Sequence, residues 1–370
     1  MILSGSHRVC SLLCVWGGGV LSEGVGGGFC QGVCVWGVPS APLTCRCLCS
    51  GSHLVCSLVC EHPDWRIINL DQLDSCCSPR SLRSVEDRRN YTFVQGDVCD
   101  PSLLDRLFSA HRIDVVFHLA ARTHVEASFQ NPASFQRVNV EGTRTLLRAA
   151  QRAQHRPRRF LYISTDEVYG AGADRAFDER SPLRPANPYA VSKAAAENLV
   201  RFYWDRYQLP VIITRSNNIY GPRQHSEKVI PRFLSLLQQN NKCTIQGTAP
   251  KSRHFLFVSD AIAAFLLLLE KGAVGEVYNV GSSWEVPILG LAQQLVKTVR
   301  NVPDSEVGEW LEFVPDRPQL ELRYPISSEK LRRLGWGAQV SWAEGIRQTV
   351  QWYQDNPDFW ADQPTQAPPS

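Results

Sequence analysis

The chain has 370 residues and a formal net charge of +3, long enough to bury a large core in one α/β domain with a smaller lobe, or in two domains. So slight a charge imposes no basic surface, which speaks against nucleic acid as the main partner. Nine of the 13 cysteines fall in residues 1–60, and beyond them stand only Cys76, Cys77, Cys99 and Cys243, so the body has the composition of a reduced, cytoplasmic protein.

The first sixty residues differ from the rest: their only charged side chains are Arg8, Glu23 and Arg46. Residues 4–14 return as residues 50–60 with nine of eleven positions identical, a single imperfect repeat and too few for a solenoid. Glycines interrupt every apolar run before it could span a membrane, and no basic region precedes an unbroken apolar core. The cysteine spacings form no regular CxxC pairs, so no metal site is expected. Residues 1–63 read as an atypical Gly/Cys-rich segment without a native fold of its own, and Gly17–Gly19 and Gly26–Gly28 as low-complexity linker.

From Asp64 the pattern becomes regular. The apolar run 66–71, ending in Asp71, predicts a buried parallel strand, and 91–98 the next one. Asp100 and Pro101 open a helix to His111. Residues 113–121 predict a central strand running into Ala120-Ala121, 139–154 a helix, and 159–164 another strand. A helix over 188–207 leads to a strand over 210–215. Beyond Gly221-Pro222 the elements shorten, with helices over 229–239 and 259–270 and a strand over 276–280. Strands and helices in this alternation imply a doubly wound parallel sheet of Rossmann type. The domain would run over 64–220, followed by a smaller, mainly substrate-binding lobe over 221–353 and a flexible tail over 354–370. In such sheets ligands sit at the carboxyl ends of the strands, where Asp71, Asp97, Ala120, Thr165 and Arg215 fall.

Tyr189 and Lys193 are four apart on the predicted helix and so share a face. An ammonium beside a phenol favours the phenolate and makes the tyrosine a usable base. Such a pair occurs by chance in many helices; here it follows, by about 25 residues, a strand ending in Ser164-Thr165. Asp166 and Glu167 come next, and two acids after a strand can be a solvated turn or a helix cap. Beside a hydride-transfer site they can instead be driven to different pKa values, one acid and one base. Asp71 is placed to hold a ribose diol, which favours NAD, and Asp97-Val98 to lie by the adenine; as strand ends both acids could equally be caps.

The motifs Leu119-Ala120-Ala121, His124-Val125-Glu126, Ser164 to Gly170, Asn187 to Ala194, Glu227 to Pro231, Arg253 with Asp260, Tyr278 to Gly281 and Asp316-Arg317-Pro318 occur in order at compatible spacings. Over residues 64–353 the chain resembles the dTDP-glucose 4,6-dehydratases of the extended short-chain dehydrogenase/reductase superfamily, and looks most like their vertebrate form. The resemblance implies an NAD-dependent lyase. Tyr189, aided by Thr165 and Lys193, would serve oxidation at C4, Glu167 would take the C5 proton, Asp166 would protonate the leaving C6 hydroxyl, and hydride would return to C6. It implies that Asp71, Asp97, Val98, Leu119, Ala120, Ala121, Tyr189 and Lys193 meet the cofactor. His124, Asn218, Glu227, Lys228, Arg253, Asn279, Asp316 and Arg317 would face the nucleoside-diphosphate hexose. A homodimer through the helices near 139–154 and 188–207 is implied as well, with no nucleic acid and no membrane partner.

The chain also departs from that pattern. No GxxGxxG or GxGxxG turn exists to bring backbone N–H groups to a pyrophosphate, and the first, central strand is expected to be missing or replaced. Leu320 stands where bacterial relatives carry histidine, and Glu126 where they carry aspartate. A UDP-glucuronate decarboxylase or 4-epimerase shares Tyr189 and Lys193 but tends to lack Asp166, and a non-catalytic pseudoenzyme accords with the absent glycine turn.

Overall fold

A computed structural model describes residues 10–15, 49–73, 78, 80–172, 175–247, 251–315 and 325–360. The first half of the chain forms β1 (Cys10–Val15), α1 (Cys49–Glu61), β2 (Trp65–Asp71), β3 (Tyr91–Gln95), α2 (Pro101–Ala110) and β4 (Ile113–His118). Then come α3 (Val125–Gln130), α4 (Pro132–Phe135), a π-helical stretch Gln136–Gly142, α5 (Thr143–Arg152), β5 (Arg159–Thr165), a 3-10 turn Asp166–Tyr169 and α6 (Pro188–Tyr207). The rest forms β6 (Val211–Ser216), β7 (Asn218–Tyr220), α7 (Val229–Gln238), β8 (Cys243–Gln246), β9 (Ser252–Phe257), α8 (Val258–Lys271) and β10 (Val277–Val280). It ends with β11 (Glu285–Pro287), α9 (Ile288–Arg300), β12 (Leu311–Val314), α10 (Glu329–Arg332) and α11 (Trp342–Asp355).

Seven parallel strands make the main sheet in the order β10-β6-β5-β4-β1-β2-β3. The order reverses between β1 and β4, and a crevice opens at such a switch beyond the carboxyl ends of the strands. β4 is buried along its whole length, as a central parallel strand covered on both faces must be. β7, β9 and β11 form a small second sheet, and β8 pairs with β12.

The expectation of a missing central strand is overturned. β1 lies between β2 and β4, with Leu12 opposite Ile67 on one side and Val115 on the other, so neither neighbour lacks a ladder partner. The boundary at residue 63 also fell too late. α1 buries Gly51, Leu54, Val55 and Leu58 at helical spacing, in one core with Ile67, Val258, Ile262 and Phe265. Each buried Leu or Val contributes roughly 1.5–3 kcal/mol, so α1 belongs to the fold. The supposed flexible tail is tied down as far as residue 360: Phe359 is buried, and its carbonyl accepts from Ser78 Oγ at 3.2 Å. β10, from the C-terminal part, completes the main sheet.

Local chemistry sets the helices that matter. Asp100 caps α2 by accepting from Ser102 N at 2.9 Å and Leu103 N at 3.1 Å. Asn187 caps α6 through Ala190 N and Pro188 occupies its first turn, both favourable there, and Gln208 ends the helix in the left-handed region at φ 55°. The helix expected from residue 139 starts instead in the π-helical stretch. Asn139 holds that stretch, exchanging hydrogen bonds with the Arg122 backbone and donating to Ser192 Oγ at 2.8 Å.

Candidate active site

β5 delivers Ser164 and Thr165 to the crevice, and the 3-10 turn places Asp166 and Glu167 directly after them. Gly170 closes that turn at φ +81°, where a Cβ would stand 2.2 Å from Arg184 O, so no other residue fits. α6 brings Tyr189 and Lys193 to the same place. A cavity of about 570 Å³ opens here, lined by Ser164, Thr165, Glu167, Tyr189 and Lys193. His124, Asn218, Glu227, Lys228 and Arg253 line it too, and Cys49 and Ser50, at the start of α1, also reach it.

The two carboxylates have separate clamps. Asp166 Oδ2 accepts from Asn217 Nδ2 at 2.7 Å and Oδ1 from Thr165 Oγ at 3.1 Å. Burial, with Glu167 adding repulsion, raises the Asp166 carboxyl to about 7 against the pull of those hydrogen bonds. Glu167 Oε2 accepts from Asn187 Nδ2 at 2.9 Å. One acid therefore keeps its proton near neutrality next to a second that is held as an acceptor.

The tyrosine and lysine depart from the simple expectation. Lys193 Nζ donates to Ile163 O at 2.5 Å and lies over the Tyr162 ring, and burial lowers it to about 7 despite Glu197. Tyr189 is pushed well above the ordinary phenol range by burial, then by Glu167 and Asp166, and only the Thr165 hydrogen bond opposes this. In this arrangement the lysine does not lower the phenol, because its ammonium is spent on a carbonyl while two carboxylates stand close to the ring.

The remaining expected residues divide. Leu119 and Ala121 line the cavity, with Ala120 buried behind them. Asp71 ends β2, buried, its Oδ1 accepting from Leu73 N at 2.8 Å. Asp97 pairs with Arg137 beside the buried Val98. Glu227 lies 3.5 Å from Lys228, 3.7 Å from His225 and 3.8 Å from His124. Burial pushes its carboxyl up, but these three neighbours outweigh burial and hold it below the usual range. Asn279 does not face the cavity: it accepts from Tyr169 OH at 2.7 Å and donates to Phe177 O and Ser327 O, both at 3.1 Å. Its side chain is consumed in joining loops, which corrects its assignment to substrate. Asp260 is likewise occupied, accepting from Val340 N at 3.0 Å. Asp316, Arg317 and Leu320 lie outside the described residues.

Several participants escaped the sequence reading. Asn217 lies one residue past β6 in no motif, and nothing in the sequence marks it. Asn187 was visible only as the first residue of the motif Asn187 to Ala194. Glu197 and Arg215 form a buried ion pair, Nη2 to Oε2 at 2.6 Å, and Arg215 Nη1 also donates to Tyr169 OH at 2.8 Å. The i+4 spacing of Glu197 from Lys193 was the available signal.

A dinucleotide suits part of this site. Ser164 Oγ and Ser216 Oγ, buried in the cavity wall, have no hydrogen-bond partner among the described residues and could serve a carboxamide. The start of α1 offers backbone donors, and Asp71 stands at the second strand end, where a ribose is held. The join between β1 and α1, residues 16–48, lies outside the described residues and contains no GxxGxxG.

A doubly wound sheet with Tyr189 and Lys193 on the helix after a Thr-Asp-Glu turn defines a short-chain dehydrogenase/reductase of the extended type. The family profile described as GDP-mannose 4,6 dehydratase matches residues 50–349, beginning within α1. The dTDP-D-glucose 4,6-dehydratase of Bos taurus is 48% identical over 301 residues, covering 81% of this chain and 84% of that protein. The crystal structure of DesIV, a dTDP-glucose 4,6-dehydratase from Streptomyces venezuelae with NAD and TYD bound, superposes with a TM-score of 0.82 at 31% identity, covering 96% of this chain and all of that one. The corresponding enzyme from Bacillus anthracis, in complex with NAD, gives 0.79 at 29% identity over 96% of this chain and 100% of that one. The chain belongs to the dTDP-glucose 4,6-dehydratase family. Among the described residues no helix is long and apolar enough to cross a membrane.

Proposed function

We propose that this protein dehydrates dTDP-glucose to dTDP-4-keto-6-deoxyglucose with NAD as a recycled cofactor. The observation that carries the reading is the pair Asp166 and Glu167, each held by its own asparagine, with Asp166 raised to about 7. Tyr189 would accept the proton of the C4 hydroxyl as a phenolate, with Thr165 and Lys193 close by; the positive charge of a bound nicotinamide would favour that form over the neutral phenol that burial and the two acids hold here. Bound NAD supplies the redox chemistry, taking hydride from C4 and giving it back at C6. The ketone at C4 acidifies C5, Glu167 removes the C5 proton, and Asp166 protonates the C6 hydroxyl as it leaves. Glu167 then returns a proton to C5.

Asp71 would hold the adenosine ribose, Asp97 and Val98 the adenine, Leu119 to Ala121 the floor beneath the cofactor, and Tyr189 and Lys193 the nicotinamide end. His124, Asn218, Glu227, Lys228 and Arg253, with Asp316 and Arg317, would take the nucleoside diphosphate and hexose. Arginine suits a diphosphate through its paired donors. The exposed Phe129, Val191, Phe202 and Tyr207, on α3 and α6, would be covered in a homodimer. Free thiols at Cys49, Cys56, Cys60, Cys99 and Cys243 suit the cytoplasm.

Incubation with NAD and dTDP-glucose in deuterated water should yield the 4-keto-6-deoxy sugar with solvent deuterium at C5. Glu167→Gln should block that exchange and still oxidise C4, seen as accumulated NADH. Epimerised hexose, or carbon dioxide released from UDP-glucuronate, would replace this reading with one of its relatives; no turnover of any of these sugars would favour a pseudoenzyme.

A further inference from the structure

The ends of three neighbouring strands meet beside the acid of the site. Asp166 follows β5, Asn217 follows β6 and Ser282 comes two residues after β10, and these strands lie side by side in the main sheet. One buried asparagine spans the row. Its Nδ2 donates to Asp166 Oδ2 at 2.7 Å, its Oδ1 accepts from Ser282 N at 3.1 Å, and its own backbone N–H donates to Val280 O at 3.1 Å. A Cβ at position 281 would stand 2.5 Å from that Oδ1, so Gly281 leaves the room that the bridge needs.

The amide is fixed in one orientation. Flipped, it would set its NH2 group against the Ser282 N–H and leave that buried donor without an acceptor. Ser282 is itself pinned, its Oγ donating to Phe255 O on β9 at 2.6 Å. A fixed N–H opposite one oxygen of a carboxylic acid sorts the two oxygens, because the carbonyl oxygen accepts a hydrogen bond better than the hydroxyl oxygen does. Oδ2 is thereby held as the carbonyl. The proton falls to Oδ1, 3.1 Å from the hydroxyl of Thr165, which lines the cavity.

We propose that Asn217 is a positioning residue: by claiming Oδ2 of Asp166 it keeps the acid's proton on Oδ1, the oxygen from which it passes to the departing C6 hydroxyl. In that step the Oδ1–H and C6–O bonds break, an O–H bond of water forms, and the electron pair left at C5 becomes the second bond between C5 and C6. Asp166 is left as a carboxylate. The Asn217 hydrogen bond survives the change and is strengthened by the new charge, which Glu167 and the nearby Tyr189 oppose and Arg253 favours.

This role rests on the dehydratase reading, and the experiment keeps the two apart. Asn217→Asp retains the shape and the contact with Ser282 but turns an acceptor toward Asp166, so the proton should be drawn to Oδ2 and shared there. With NAD and dTDP-glucose in deuterated water, this variant should oxidise C4 and exchange C5 but eliminate water ~10²-fold more slowly, the lower end of the range for a positioned acid. The dTDP-hexose recovered after quenching should carry deuterium at C5 and still hold its C6 hydroxyl. Asn217→Leu, close in volume and without a donor, should slow elimination by roughly 10-fold and move its alkaline limb to higher pH, because the asparagine hydrogen bond opposes the rise of the Asp166 carboxyl. Carbon-13 NMR of that carboxyl, without cofactor, should show the same upward shift. Equal losses of C4 oxidation and elimination, or an Asp166 titration unmoved in Asn217→Leu, would reduce Asn217 to a structural bridge and leave the dehydratase standing. A wild-type protein that makes no 4-keto-6-deoxy sugar would remove both.

Discussion

Asn187 Nδ2 stands 2.9 Å from Glu167 Oε2, while Oδ1 of the same side chain accepts from Ala190 N at 2.8 Å. The cap of the helix that carries Tyr189 and Lys193 is thus also the clamp on the neighbouring carboxylate.

Asn187→Asp should keep the cap, since aspartate serves as well there, but it sets a second carboxylate against Glu167. Like charges raise each other's pKa, so solvent exchange at C5 should require higher pH in the variant. Asn187→Ala should lower stability by about 1 kcal/mol through the lost cap and slow C5 exchange more than C4 oxidation. Unchanged C5 exchange in both variants would show that the clamp does not orient Glu167.

Asp166 gives the pH dependence a sign. Its carboxyl is raised from an ordinary 3.8 to about 7, so the folded protein holds a proton that the unfolded chain releases between those values. This contribution to stability is present below about 4 and is lost as pH rises through about 7. Elimination, which needs the protonated acid, should fall over the upper part of that window. Asp166→Asn should abolish dehydration, retain C4 oxidation, and flatten the dependence of Tm on pH between 4 and 7. A Tm profile identical to wild type would mean that the buried proton is absent.

Glu197 and Arg215 are both almost inaccessible, at 0% and 1%. Arg215→Met should destabilise the protein by about 3–5 kcal/mol, the cost of stranding a buried charge. Combining it with Glu197→Leu should recover most of that loss, because a buried ion pair can be replaced by apolar side chains of similar volume at little net cost. Urea denaturation of the two single variants and the double variant measures the coupling; simple additivity would contradict it.

The absent glycine turn bears on cofactor retention. NAD should leave the purified chain during gel filtration, because without a GxxGxxG turn before α1 the donors at the start of that helix hold the pyrophosphate alone. Replacing residues 16–48 by such a turn should raise bound NAD toward one per chain. Deleting residues 1–15 should destabilise the whole domain, since β2 and β4 would lose the strand between them. Stoichiometric NAD on the unmodified chain would show that residues 16–48 supply the missing donors.

The features legible in the sequence were those written by nearby residues. α2 was placed because Asp100 and Pro101 mark its start, and α6 falls at Pro188–Tyr207, where the helix over 188–207 was expected. The Thr-Asp-Glu turn and the Tyr-Lys pair were visible because their spacing is local. Asn217 and the Glu197–Arg215 pair were not, because each acts through a contact made only when distant strands and helices meet. The repeat shows the division most directly. Cys10-Ser11-Leu12-Leu13-Cys14 lies in β1, while the near-identical Cys56-Ser57-Leu58-Val59-Cys60 lies in α1. The sequence does account for why the first copy is unsuited to the helix: Arg8 takes the place of the fully buried Leu54, and an unpaired charge there would be costly. That it becomes a strand was decided by the tertiary structure, where β2 and β4 leave two rows of backbone donors and acceptors that only a strand between them can satisfy.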